Sequence, residues 1–101
     1  MVSPEQELAD HEKLMDQLRA KARSARANLE AQKAKLFLTV RAEADAMQKP
    51  VSIAHAQAVV TAELTGKLAD YWQEYIDSQA AWEAAKTKKE HLVRVYWDTK
   101  D

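Results

Sequence analysis

Between Pro4 and Pro50 the chain contains neither a proline nor a glycine. A stretch of that length fits almost no architecture except a long helix, because strands rarely exceed about ten residues and the turns between them need residues that break regular structure. The rest of the sequence is equally poor in breakers: Gly66 is the one glycine, and Pro4 and Pro50 are the two prolines, among 101 residues. Barrels, sandwiches and other loop-rich folds need several times as many, since average usage is about 7% Gly and 5% Pro. Alanine, glutamate, lysine, leucine, arginine and glutamine dominate instead, and these lose least freedom on entering a helix. An all-α fold is expected.

Local signals place the helices. Ser3 can cap a first helix, Pro4 suits its first position and Gln6 completes an S-x-x-Q capping box, with Glu5, Glu7 and Asp10 in the turns where the helix dipole favours negative charge. Leu8, Met15, Leu18, Ala22, Ala25, Leu29, Leu36, Val40 and Met47 then recur at helical spacings, so the helix is expected over about 4–48, roughly 65 Å at 1.5 Å per residue. Pro50 disfavours helix at Lys49 and removes a backbone donor. Ser52 can cap a short helix over about 52–64, and Thr65-Gly66 reads as a kink or a new start. Residues 52–66 are thus either a separate helix or the beginning of the last one. That last helix is expected over about 67–98, with Leu68, Tyr71, Tyr75, Trp82, Ala85, Leu92, Val93 and Tyr96 on one side. The predicted architecture is a single domain over 1–101, a long helical hairpin whose two long helices are joined by a short turn and short helix.

Two helices bury one stripe each, which rarely offsets the ordering entropy of about 100 residues. All three Trp and all three Tyr lie in the last third of the chain. On an ideal wheel Tyr71, Tyr75 and Trp82 share one face, whereas Trp72, Ile76 and Trp97 turn toward another. Two apolar faces on one helix suggest that one packs within the protomer and the other between protomers, so a homo-oligomer is expected. The alternative is a monomeric three-helix bundle with Ile53, Val59, Val60 and Leu64 as a lid.

The formal net charge of −1 conceals a segregation of charge. From residue 19 to residue 41 stand Arg19, Lys21, Arg23, Arg26, Lys33, Lys35 and Arg41 against one acid, Glu30. Arg19, Arg23, Arg26, Lys33 and Arg41 fall within about 80° of the helical wheel, Phe37 lies among them, and the row runs beside the apolar stripe. Cations at such spacings can follow a phosphate backbone, and an aromatic ring among them offers a base something to stack on. Single-stranded nucleic acid fits better than duplex, because no helix-turn-helix, zinc or recognition-helix signature is present. The competing reading is a solvated helix face in which Arg26–Glu30 and Glu30–Lys33 are ordinary intrahelical pairs. A second cluster, Lys86, Lys88, Lys89 and Arg94 around Glu90, complements the dipole at the end of the last helix, and Lys86 and Lys89 lie close enough to the aromatic seam either to snorkel out of it or to face a central channel in an oligomer.

Catalytic and cofactor signals are absent. Without cysteine there is no disulfide scaffold, thiolate zinc site or thiol nucleophile. His11, His55 and His91 lack helical partners of ligand character, and His11, on the apolar stripe, reads as a polar seam residue. One glycine cannot make a phosphate-binding loop. No enzyme, metal, cofactor or small-molecule substrate is expected. Neither a signal peptide nor a stretch of about 20 apolar residues is seen, so no membrane partner and a cytoplasmic location are expected.

The run Glu30-Ala31-Gln32-Lys33-Ala34-Lys35-Leu36, continuing to Arg41-Ala42 and followed by a short break and an aromatic-rich helix, resembles the UvsY family of phage recombination mediators. Those are small helical proteins that bind single-stranded DNA, assemble into rings and help a RecA-like recombinase displace single-stranded-DNA-binding protein. The resemblance implies DNA contacts at Lys33, Lys35 and Arg41 and assembly through Trp82, Leu92, Val93 and Tyr96. It spans residues 20–97 as a pattern and residues 30–33 residue by residue. A different class of function, a coiled-coil adaptor, scaffold or small phage inhibitor acting through protein contacts alone, accounts equally well for Trp72, Trp82 and Trp97.

Overall fold

The computed structural model describes residues 3–99, and all of their regular structure is helical. Helix α1 spans Pro4–Ala46, α2 spans Ile53–Ala62, a 3-10 turn covers Glu63–Thr65, and α3 spans Ala69–Thr99. The expected all-α class is the one adopted, and residues 52–66 form a separate helix and turn rather than the start of α3.

The ends of these helices follow from side-chain chemistry. Ser3 Oγ accepts from the Gln6 amide at 3.1 Å, but the Gln6 side chain donates forward to Asp10 at 2.9 Å, so half of the capping box forms. Helix α1 stops two residues before the expected boundary because Gln48 adopts the left-handed conformation, with φ 58°. The Gln48 amide donates to Asp45 O at 3.0 Å and the Lys49 amide to Ala44 O at 2.9 Å, a Schellman closure that satisfies the last carbonyls just ahead of Pro50. Ser52 caps α2 through its Oγ, which accepts from the His55 amide at 3.1 Å. At the other end of the connection Glu63 Oε2 accepts from the Lys67 amide at 2.9 Å, and Gly66 leaves the room this carboxylate occupies, since a Cβ there would lie 2.7 Å from it.

The chain divides into two compact units, Met1–Ser24 with Ile76–Asp101, and Ala25–Tyr75. In the first, α1 and α3 run antiparallel. Residues near the start of α1 (Ser3, Pro4, Glu5) share a cleft with Tyr96 and Thr99, His11 Nε2 reaches Ala85 O at 2.7 Å, and Met15 and Arg19 share a cleft with Trp82. Buried residues on α1 (His11, Met15, Ala22) and on α3 (Ser78, Ala85, Leu92) lie on the seam. Ser78, Ala85 and Leu92 are seven residues apart, a heptad spacing that keeps one stripe facing its neighbour. Ser78 is polar and stands in no motif of the sequence; a small side chain there lets helices approach closely.

In the second unit Ala25 and Leu29 from α1, Ala56 and Val60 from α2, and Leu68 just ahead of α3 form the core. The expected apolar stripe of α1 is therefore buried or half-buried from Leu8 to Val40, whereas Met47 is exposed. On α3 the expected faces exchange one pair: Tyr71 is exposed, and Trp72 is half-buried with its ring 5.9 Å from that of Tyr75. Among the described residues, four of the nine buried apolar ones are alanine, and no large side chain is fully enclosed. At about 25 cal/mol per Å² of buried apolar surface, such cores contribute modestly for the number of residues ordered.

Candidate nucleic-acid interface

In the second unit the seam residues Leu29, Leu36 and Val40 fix the rotation of α1, and residues about a quarter turn away stand beside the seam. These are Arg26, Lys33, Phe37 and Arg41. Arg26 and Arg41 are exposed, Lys33 and Phe37 half-buried. The Arg41 guanidinium lies over the Phe37 ring at 5.9 Å, a cation–π contact that holds the charge next to the aromatic face. Lys33 Nζ is 3.6 Å from Glu30 Oε1, so one of the two expected intrahelical pairs forms. The Arg26–Glu30 pair does not, and among the described residues Arg26, Lys35 and Arg41 make no ion pair. Lys35 is exposed, yet it stands on the far side of the helix from Lys33, Phe37 and Arg41, so it joins no ridge with them.

An open groove of about 410 Å³ adjoins this ridge, lined by Glu30, Lys33, Ala34 and Phe37 of α1 and by Gln57, Val60 and Thr61 of α2. Ala56, fully buried, and Val60 seat α2 on the core, which places Gln57 and Thr61 one step around toward the groove. The Thr61 hydroxyl donates to the Gln57 backbone carbonyl at 3.0 Å. Sequence reasoning missed Gln57 and Thr61. Neither carries charge, and α2 read as an apolar lid; only the pairing of α2 with α1 gives them a neighbourhood.

In the first unit Arg19 and Arg23 are exposed and make no ion pair among the described residues. Arg19 lines a cleft of about 320 Å³ with Glu12, Met15, Asp16, Trp82 and Lys89, so two carboxylates share its surroundings. Lys89 Nζ reaches Glu12 at 3.6 Å, and Lys86 Nζ lies 5.4 Å from the Trp82 ring and 3.3 Å from Glu83. Both lysines thus leave the seam as their position suggested. Of the residues expected between protomers, Leu92 is buried in this unit's own core at 7% exposure, Trp82, Val93 and Tyr96 are half-buried, and Trp97 is 61% exposed with its ring edge-on to Tyr96 at 5.7 Å. Trp72, half-buried, belongs to the second unit.

Among the described residues no group of three histidines or carboxylates is placed to hold a metal ion, and no helix is long and apolar enough to cross a membrane. Compared with protein-family models, curated proteins and solved structures, the chain matches none.

Proposed function

We propose that this chain is a non-catalytic, sequence-nonspecific single-stranded-DNA-binding protein that works in the cytoplasm as a homo-oligomer of helical hairpins and assists recombination. The observation that carries the reading is the ridge Arg26, Lys33, Phe37, Arg41: an aromatic ring flanked by cations, two of which make no ion pair among the described residues. Unpaired guanidinium groups gain most from phosphate, because no existing partner has to be displaced. Arg19 and Arg23 continue the same spacing on α1. The thin cores support assembly, since each protomer buries little of its own apolar surface. Several ridges on one strand would turn weak contacts into stable wrapping. The resemblance to recombination mediators supplies the further expectation of a RecA-like recombinase and single-stranded-DNA-binding protein as partners.

Fluorescence anisotropy with a labelled single strand, over a range of salt and beside light scattering for mass, tests this reading. With about five cations per protomer on phosphates, log affinity should fall against log salt with a slope of roughly −3 to −4 per protomer engaged, at ~0.7 per phosphate. Lys33→Ala combined with Arg41→Ala should weaken binding to all sequences and leave the mass unchanged. A slope near zero would reject the proposal.

A second reading, an adaptor or scaffold acting through protein contacts, is favoured by the exposure of Leu38 at 66%, Met47 at 67% and Ile53 at 56% in the second unit and of Trp97 in the first. Under that reading the affinity for single-stranded DNA is negligible at physiological salt.

A further inference from the structure

We infer that the groove between α1 and α2 is a subsite for one unstacked nucleobase of the bound strand, with Phe37 as its stacking surface. The inference rests on the proposed function and specifies how the strand is held. A simple electrostatic track needs cations along a helix and nothing else. Here Lys33 lines an open groove, and Arg41 lies over the ring of Phe37, which lines the same groove. Its volume of about 410 Å³ lies toward the lower end of the usual range for small-ligand clefts, about 300–1,000 Å³, which suits one planar ring system.

The lining matches a base and its phosphate in three respects. Phe37 and Val60 supply an apolar wall, and the Phe37 ring already carries the Arg41 cation 5.9 Å from its centroid. Gln57 brings a side-chain amide that can both donate and accept, and the Thr61 hydroxyl, whose proton is committed to the Gln57 carbonyl, retains acceptor capacity. Lys33, with 35% of its side chain exposed, sits at the same groove and can meet the phosphate of the nucleotide whose base enters. Every base has a π-face that can stack on Phe37, so binding stays nonspecific.

Glu30 is the opposing group. Its carboxylate lines the groove and holds Lys33 at 3.6 Å. An incoming phosphate must displace it, so the Lys33 contact contributes less than one to Arg41, which makes no ion pair among the described residues, and the preference for a base falls to stacking on Phe37.

The test compares an oligothymidylate with an abasic deoxyribose-phosphate strand of equal length, by anisotropy, on the full chain and on Phe37→Leu, Phe37→Tyr and Gln57→Ala. Phe37→Leu keeps the apolar volume without the ring, and circular dichroism checks that each variant is helical. The chain as it stands should bind the thymidylate strand at least about fivefold more tightly than the abasic one, the range that base–aromatic stacking spans. Phe37→Leu should remove that preference while keeping the salt slope, Phe37→Tyr should restore it, and Gln57→Ala should reduce it. Equal binding of the two strands by the unaltered chain, with a steep salt slope, would overturn the base subsite and leave the proposed function standing. Absence of binding to both strands at low salt would overturn both.

Discussion

His11 Nε2 donates to the carbonyl oxygen of Ala85 across 2.7 Å, joining residues 74 positions apart. A carbonyl can only accept, so the proton is on Nε2. His11 is 6% exposed, and the bond therefore fixes one register of α1 against α3 in the first unit at the point where a polar side chain interrupts the apolar seam. His11→Ala should lower unfolding stability by about 1–3 kcal/mol, from a lost hydrogen bond and the space left behind, and His11→Leu by less because it refills the volume. Urea unfolding monitored by circular dichroism measures both; equal stability of all three chains would mean that the bond contributes nothing to the folded state.

Gln48 is the described non-glycine residue with positive φ, at 58°. Its left-handed conformation costs about 1–2 kcal/mol for a residue with a Cβ. Gln48→Gly should raise the urea midpoint, with a net gain of about 0.5–1 kcal/mol after the greater freedom of glycine in the unfolded chain is subtracted. A destabilised variant would show that the closure of α1 is not as described.

Gly66 and Glu63 should behave as a coupled pair. A Cβ at Gly66 meets the Glu63 carboxylate at 2.7 Å and must push it off the Lys67 amide. The bond lost is worth about 0.5–1.5 kcal/mol. Gly66→Ala alone should therefore destabilise, and in a Glu63→Ala background it should cost less. A double-mutant cycle that gives no coupling would contradict this.

Leu92 and Trp97 should separate folding from assembly. Leu92 is 7% exposed, so Leu92→Ala should cost about 2–5 kcal/mol of stability. Trp97 is 61% exposed, and Trp97→Gln should change unfolding by less than about 1 kcal/mol while lowering the mass seen by light scattering, if this ring is covered by another protomer. An unchanged mass would remove Trp97 from any interface between copies.

Most of the secondary structure was legible in the sequence because its causes are local. The long gap between Pro4 and Pro50 leaves only helix, Ser3 and Ser52 cap where a hydroxyl precedes a helical run, and Leu29, Leu36 and Val40 repeat at the spacing of one face. Each signal acts within a few residues of itself, and so did the expectation that Arg26, Lys33 and Arg41 share a ridge with Phe37. The end of α1 was less legible, since a glutamine in the left-handed region carries no compositional mark and is held by the closure around it.

What the tertiary structure decided is which local surface faces which. His11 could have met solvent or a partner carbonyl, and it meets Ala85 only because α3 runs back along α1 in that unit. Ser78 is buried because a neighbouring helix needs a small residue there, which its own polarity does not announce. Tyr71 and Trp72 differ by one position, and the packing of α3 alone chose the second for shelter. Gln57 and Thr61 come to line a groove with Phe37 only when α2 settles beside α1. Periodicity fixes angles around one helix axis; the contacts between axes depend on how several stripes are satisfied at once, and no single stripe contains that information.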